Sequence, residues 1–237
     1  MSLATQLSTN DRAVLGALFD PEASLSRSTD INQDLPTPYS QAVSTSVILA
    51  EQQAVKLLDV LEPSQQDVET TIAQLTFIIG SSPTYASAYA NRAQAYRLVT
   101  NADGDAAILG KVLSDLDKAI ALATPVLPSV SPSEHDARVL ASAHTHRGYL
   151  ILKASTSDNF REVLISVDAS LLQGASTPAR LEELASRDFG IAGRYGNKTA
   201  QQLAVKTNPY AKLCGQIVKE ALQREMLEYY EGTGVGA

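Results

Sequence analysis

Residues 86–96 read "ASAYANRAQAY", large flat side chains set among small ones, with Arg92 the one charge. Wound at 3.6 residues per turn, Tyr89, Ala93 and Tyr96 fall at i, i+4 and i+7, so one helix face presents an aromatic, a notch and a second aromatic. Such a notch accepts a second helix at close range. The predicted partner is "VLSDLDKAIALA", residues 112–123, whose Val112, Leu116, Ala119 and Ile120 repeat the i, i+4, i+7, i+8 spacing of a half-buried helix. Joined by a turn, the two make an antiparallel pair.

The composition sets the frame around that pair. A chain of 237 residues with 44% hydrophobic and 19% charged content can bury a sizeable core. Its net charge of −7 argues against a nucleic-acid groove or an anionic membrane surface as partner. The opening "MSLATQLSTNDRAVLG" lacks the basic flank and apolar run of a signal peptide, and no stretch approaches a membrane-spanning length. A cytoplasmic protein is expected. Cys214 is the sole cysteine, which excludes an internal disulfide, and its helix predicts a buried structural thiol. The sequon Asn197-Lys198-Thr199 is read as incidental.

Residues 10–19, "NDRAVLGALF", predict a short helix capped by Asn10, with Val14, Leu15, Leu18 and Phe19 on one side. It is too short to be stable alone. The polar stretch from Asp20 to Ser40 reads as a tether, so residues 1–40 are either a frayed end or a helix tethered to dock on a groove. From Ser44 onward helical spacing recurs without period-two alternation. The fold class is all-α.

The Tyr89 pattern resembles the 34-residue tetratricopeptide repeat, in which a small residue between two aromatics lets the paired helices approach closely. The resemblance implies an α-α superhelix of about three repeats, at about 52–85, 86–126 and 141–195, within a repeat domain of residues 41–206. The first repeat starts at Gln52, one period before Ala86, and holds Asp59 and Thr71 at its small positions. The second has an extended turn, "VTNADGDA". In the third, "HDARVLASAHTHRGYLILKA" supplies the first helix, with Gly148 as the small residue and a weak capping box from Ser133 to Asp136. Its partner is either "FREVLISVDASLLQ" or "LEELASRDFGIAGRY". The small, large, small series Ala185, Phe189, Ala192 favours the second, leaving an inserted helix at about 157–174, although Gly190 and Gly193 each cost about 1 kcal/mol in a helix interior. "NPYAKLCGQIVKEALQREMLEYYE" then predicts a capping helix within residues 207–237, started by Asn208 and Pro209, with Leu213, Ile217, Ala221 and Leu222 turned inward to seal the stack.

Three boxes, "NDRAVLGALFDPE", "ASAYANRAQAYRL" and "NPYAKLCGQIVKEAL", are together similar to the tetratricopeptide repeat protein 36 family. That resemblance implies a noncatalytic protein-binding role, with links to chaperones and to tyrosine metabolism. It implies a protein or peptide partner, either a chaperone or a metabolic enzyme, held in the concave groove. The repeat register assigns Gln53, Lys56, Leu57 and Val60, then Ser87, Ala90, Asn91 and Gln94, then Ser142, Thr145, His146 and Tyr149 to that groove. Of these, Gln53, Lys56, Asn91, Gln94, His146 and Tyr149 are the candidate peptide-binding residues.

Some repeat proteins clamp chaperone C-terminal carboxylates with five side chains, and Lys56 and Asn91 match two of them. Val60, Ser142 and His146 depart from the other three, so two cations are missing and an adaptor is favoured over a chaperone-tail binder. Catalysis finds little support. His135, His144 and His146 fall on different helix faces and predict no shared metal, and are read as partly exposed side chains. Asp115 with Asp117 and Glu182 with Glu183 read as solvated helix faces, and "GIAGRYG" lacks the strand and spacing of a phosphate loop. No cofactor and no metal are expected.

Overall fold

Short polar side chains set where the helices begin. Ser64, Asp105, Ser133, Ser157, Thr177 and Asn197 each accept a hydrogen bond from an amide of the following first turn, which would otherwise be without a partner. Ser133 does so reciprocally: its Oγ accepts from the Asp136 amide at 3.1 Å and donates to Asp136 Oδ2 at 2.7 Å, the capping box expected there.

The computed structural model describes residues 45–99, 104–127, 130–172, 174–175 and 177–233. Among them every regular element is helical: α1 Thr45–Lys56, α2 Gln65–Ser81, α3 Ala86–Arg97, α4 Ala106–Ala123, α5 Glu134–Thr156, α6 Asp158–Asp168, α7 Pro178–Arg194, α8 Lys198–Thr207 and α9 Pro209–Thr233. Each helix from α1 to α8 packs on the next helix in the chain apart from α6, which lies against α4 and α5 while α7 returns to α5. The chain thus winds as an α-α superhelix of antiparallel pairs. The expected N-terminal helix at residues 10–19 lies outside the described residues.

Close approach in each pair follows from small residues. In α3 Ala93 is fully buried in one cluster with Val112, Leu116 and Ala119 of α4. In α5 the small residue is Gly148, where an added Cβ would stand 2.9 Å from the ring of the fully buried Phe189 in α7. α7 and α8 meet in the same manner, an added Cβ at Gly193 lying 3.1 Å from the Gln201 backbone. The helix cost of glycine at 193 accompanies a close approach in which a larger residue would crowd the Gln201 backbone.

Beside each of the Ala93 and Gly148 notches runs an ion pair with a buried carboxylate. Arg92, preceding Ala93, grips Asp115, preceding Leu116, through Nε at 2.8 Å and Nη2 at 2.7 Å. Arg147, preceding Gly148, grips Asp188, preceding Phe189, through Nε at 2.9 Å and Nη2 at 2.8 Å. The two pairs occupy equivalent places, so the repeat is written in polar as well as apolar positions. Asp115 is accordingly buried and committed, not part of a solvated face.

Several expectations are corrected. The first pair starts with α1 at Thr45, upstream of Gln52, because the turn from Leu57 to Ser64 is longer than the repeat standard. Asp59 lies in that turn. The small residue that meets α2 is Ala54, fully buried, whose carbonyl accepts from Thr71 Oγ1 at 3.0 Å. α8 is an additional helix, held by Ser186 Oγ donating to the Ala204 carbonyl at 2.7 Å. α9 does not seal the stack: Leu213, Ile217 and Leu222 are 54%, 57% and 55% exposed. Cys214 is exposed with them.

Gly148→Val should lower stability by about 1–3 kcal/mol, since even its Cβ would stand 2.9 Å from the ring of the fully buried Phe189, which must then shift. Removal of residues 209–237 should change it by less than about 1 kcal/mol, because α9 buries little and its Lys212–Glu182 ion pair is partly exposed. Chemical denaturation of the two variants checks both expectations.

Candidate functional site

The first helices of successive pairs, α1, α3 and α5, bound two hollows that share Gln94 and Leu98. One, of about 590 Å³, is lined by Glu51, Gln52, Val55, Lys56, Leu58, Asp59 and Asn91 besides the shared pair. The other, of about 600 Å³, adds Arg97, Arg138, Ala141, Ser142, Thr145, His146, Tyr149, Tyr195, Gly196 and Asn197. Together they form one groove running from α1 to the junction of α7 and α8.

Most polar groups of its floor are already partnered. Glu51 is buried at 6% exposure, accepting from Asn91 Nδ2 at 2.8 Å and from the Tyr85 hydroxyl. Burial, then the hydrogen bond to Glu51, pushes the Tyr85 phenol well above its usual range, so it stays a donor. Gln94 Nε2 donates to Ser142 Oγ at 2.8 Å, tying α3 to α5 across the groove. Thr145 donates to the Ala141 carbonyl and accepts from Asn197 Nδ2 at 2.9 Å. Fixed amides and hydroxyls make a surface of set shape.

The six candidate residues are not all brought together. Lys56, Asn91, Gln94, His146 and Tyr149 line the groove, whereas Gln53 lies exposed on α1 outside both hollows. Leu57 and Val60 fall beyond the end of α1, in the turn, because the first pair begins earlier than one period before Ala86. Glu51, Leu98, Arg97, Arg138 and Tyr195 join the groove without having been expected. The signal for Glu51 is its place three residues before Ala54 on α1, which begins at Thr45.

The histidines are also deeper than expected. His144 is buried with Nδ1 2.8 Å from Asp188 Oδ1, so that carboxylate holds both His144 and Arg147. Burial alone would raise the Asp188 pKa, but the hydrogen bonds from His144 and Arg147 hold it below the usual carboxylate range. His146 is 4% exposed and neither ring nitrogen finds a protein partner. Burial, assisted by the Arg97 charge, pushes its pKa down to about 3. At neutral pH it is an uncharged part of the floor. Among the described residues no group of His, Cys, Asp and Glu gathers as a metal site, and no helix is long and apolar enough to cross a membrane.

No protein-family model matches the chain, and no solved structure matches it. Among curated proteins it is 43% identical over 243 residues to the L-tyrosine degradation gene cluster protein hmgX of Aspergillus fumigatus, with 93% of each chain covered. It is 29% identical over 222 residues to tetratricopeptide repeat protein 36 of Xenopus tropicalis, covering 91% of this chain and 87% of the relative. The human protein of that name is 28% identical over 217 residues, covering 90% of this chain and 93% of its own.

A histidine held neutral in the fold takes up its proton more readily when unfolded. The stability it permits is therefore whole above the ordinary pKa of 6.5 and declines as pH falls toward about 3. His146→Leu should reduce the acid-side loss by up to about 1.4 kcal/mol per pH unit across that window. Urea denaturation of both proteins at pH 7, 6 and 5 reads the difference. Equal pH slopes would mean that the His146 ring gains a proton partner in the folded protein.

Proposed function

This chain belongs to the tetratricopeptide repeat protein 36 family, and from that premise we propose that it is a noncatalytic adaptor that holds a partner protein in its groove. The observation that carries the proposal is the continuity of the two hollows across Gln94 and Leu98, bounded by three helices. A groove of this form suits an extended segment of a partner. Lys56, Asn91, Gln94, His146 and Tyr149 contribute its surface, and Leu98, 47% exposed, supplies an apolar contact at its centre.

The relative named for an L-tyrosine degradation gene cluster ties the proposed role to tyrosine breakdown, with an enzyme of that route as the partner and the cytosol as the location. The alternative, a binder of chaperone tails, has weaker support. Val60 is in a turn, Ser142 is engaged by Gln94, Asn91 by Glu51, and His146 is buried without charge. Three of the five clamp positions thus hold other residues, and a fourth, Asn91, is already engaged.

A photocrosslinking amino acid placed at Gln94 tests the reading, with the same probe at Ile165 on the exposed side of α6 as the comparison. In cells degrading tyrosine, an enzyme of that route should be captured from position 94 and not from 165. Capture of a chaperone from position 94 instead would favour the alternative. Equal capture from both positions would remove the groove from the proposal.

A further inference from the structure

The hollow over α3, α5 and the α7–α8 junction has a charge opposite to that of the whole chain. Acidic residues outnumber basic ones by 26 to 19, yet this hollow is lined by Arg97 and Arg138 and by no aspartate or glutamate. Arg138 has Glu134 at 3.7 Å, with the two side chains 71% and 61% exposed, a contact of little strength. Arg97 enters no ion pair among the described residues, and its field falls on the uncharged His146 below. The guanidiniums are the hollow's charge.

Its other walls are apolar or internally satisfied, apart from the uncharged His146 ring, whose nitrogens have no protein partner. The Tyr149 ring stands edge-on to Phe189, centroids 5.4 Å apart at 80°, which fixes its orientation. Tyr195 and Leu98 complete an apolar wall, while Ser142 and Thr145 already have partners across the groove. Two cationic forks beside aromatic surface bind a planar carboxylate better than an amide, and more strongly as water leaves.

We propose that this hollow is a subsite for one acidic side chain, aspartate or glutamate with an apolar neighbour, within an internal segment of the partner protein. The proposal rests on the groove reading above and adds a chemical identity to its occupant. An internal segment fits because the hollow continues past Gln94 and Leu98 into the next, so the bound chain runs onward and does not end there. The two arginines stand outside the clamp positions of Lys56 and Asn91, and a basic side chain at this point of the partner would be repelled.

Selection of twelve-residue peptides, displayed with both ends fused, on the full chain provides the test. Selected sequences should be enriched in aspartate or glutamate beside an apolar residue, and should bind as synthetic peptides amidated at the C terminus. Replacing the acid by its amide should weaken binding about tenfold. Arg97→Gln and Arg138→Gln, both at exposed positions, should each weaken the acidic peptide similarly and leave the amide peptide unchanged. Peptides that bind without charge preference, yet are lost with Leu98→Asp, would overturn the subsite while leaving the groove standing. Binding only by a free C terminus would overturn it in favour of a terminal carboxylate, and failure to select any binder would overturn both readings.

Discussion

The pairing of a guanidinium with a carboxylate beside the Ala93 and Gly148 notches governs how the central helix pairs are assembled. Arg92 with Asp115 and Arg147 with Asp188 are bidentate, and each carboxylate side chain is 7% exposed or less. Packing of Ala93 and Gly148 allows the helices to approach, but apolar contact is tolerant of sliding along the helix axis. A two-pronged hydrogen bond is not. It fixes which turn of the second helix stands opposite which turn of the first, and breaking such a pair by removing one partner typically costs about 3–5 kcal/mol.

That register then propagates. Arg147 also reaches Asp117 of α4 at 3.2 Å, so the second and third pairs are linked through one side chain. Asp188 carries His144 as well, and the position of α7 fixed in this way presents Gly193 to α8. The groove on the opposite side inherits its shape from these contacts, since the spacing between α3 and α5 decides whether Gln94 can meet Ser142. The polar core and the groove are formed by the same helices.

The parts legible in the sequence were those carrying a complete local pattern. Tyr89, Ala93 and Tyr96 named both a helix and the kind of contact it makes, and Ala185, Phe189 and Ala192 identified the correct partner for the helix of Gly148. The first pair was displaced because a fixed period was carried back across a turn whose length the sequence does not announce. Residues near Asn197 have an N-cap and the spacing of Ala200, Leu203, Ala204 and Thr207, but ten residues are a short signal beside the longer pattern of α9. The spacing of Leu213, Ile217 and Leu222 describes an apolar face correctly but cannot say whether another element covers it. Burial of His146 likewise depends on what lies across a helix interface.

Asn208 joins α8 to α9 as the only residue between them. Its amide donates to the Val205 carbonyl, its side chain accepts from the Tyr210 amide, and its own carbonyl accepts from the Lys212 amide. Lys212 Nζ further reaches Glu182 Oε2 on α7 at 2.6 Å. With so little slack at the elbow, α9 projects from the superhelix as an outrigger whose bearing is set at its root. Its 25 residues extend about 37 Å at 1.5 Å per residue. The far turns of α9 are thereby held at a defined remove from the groove.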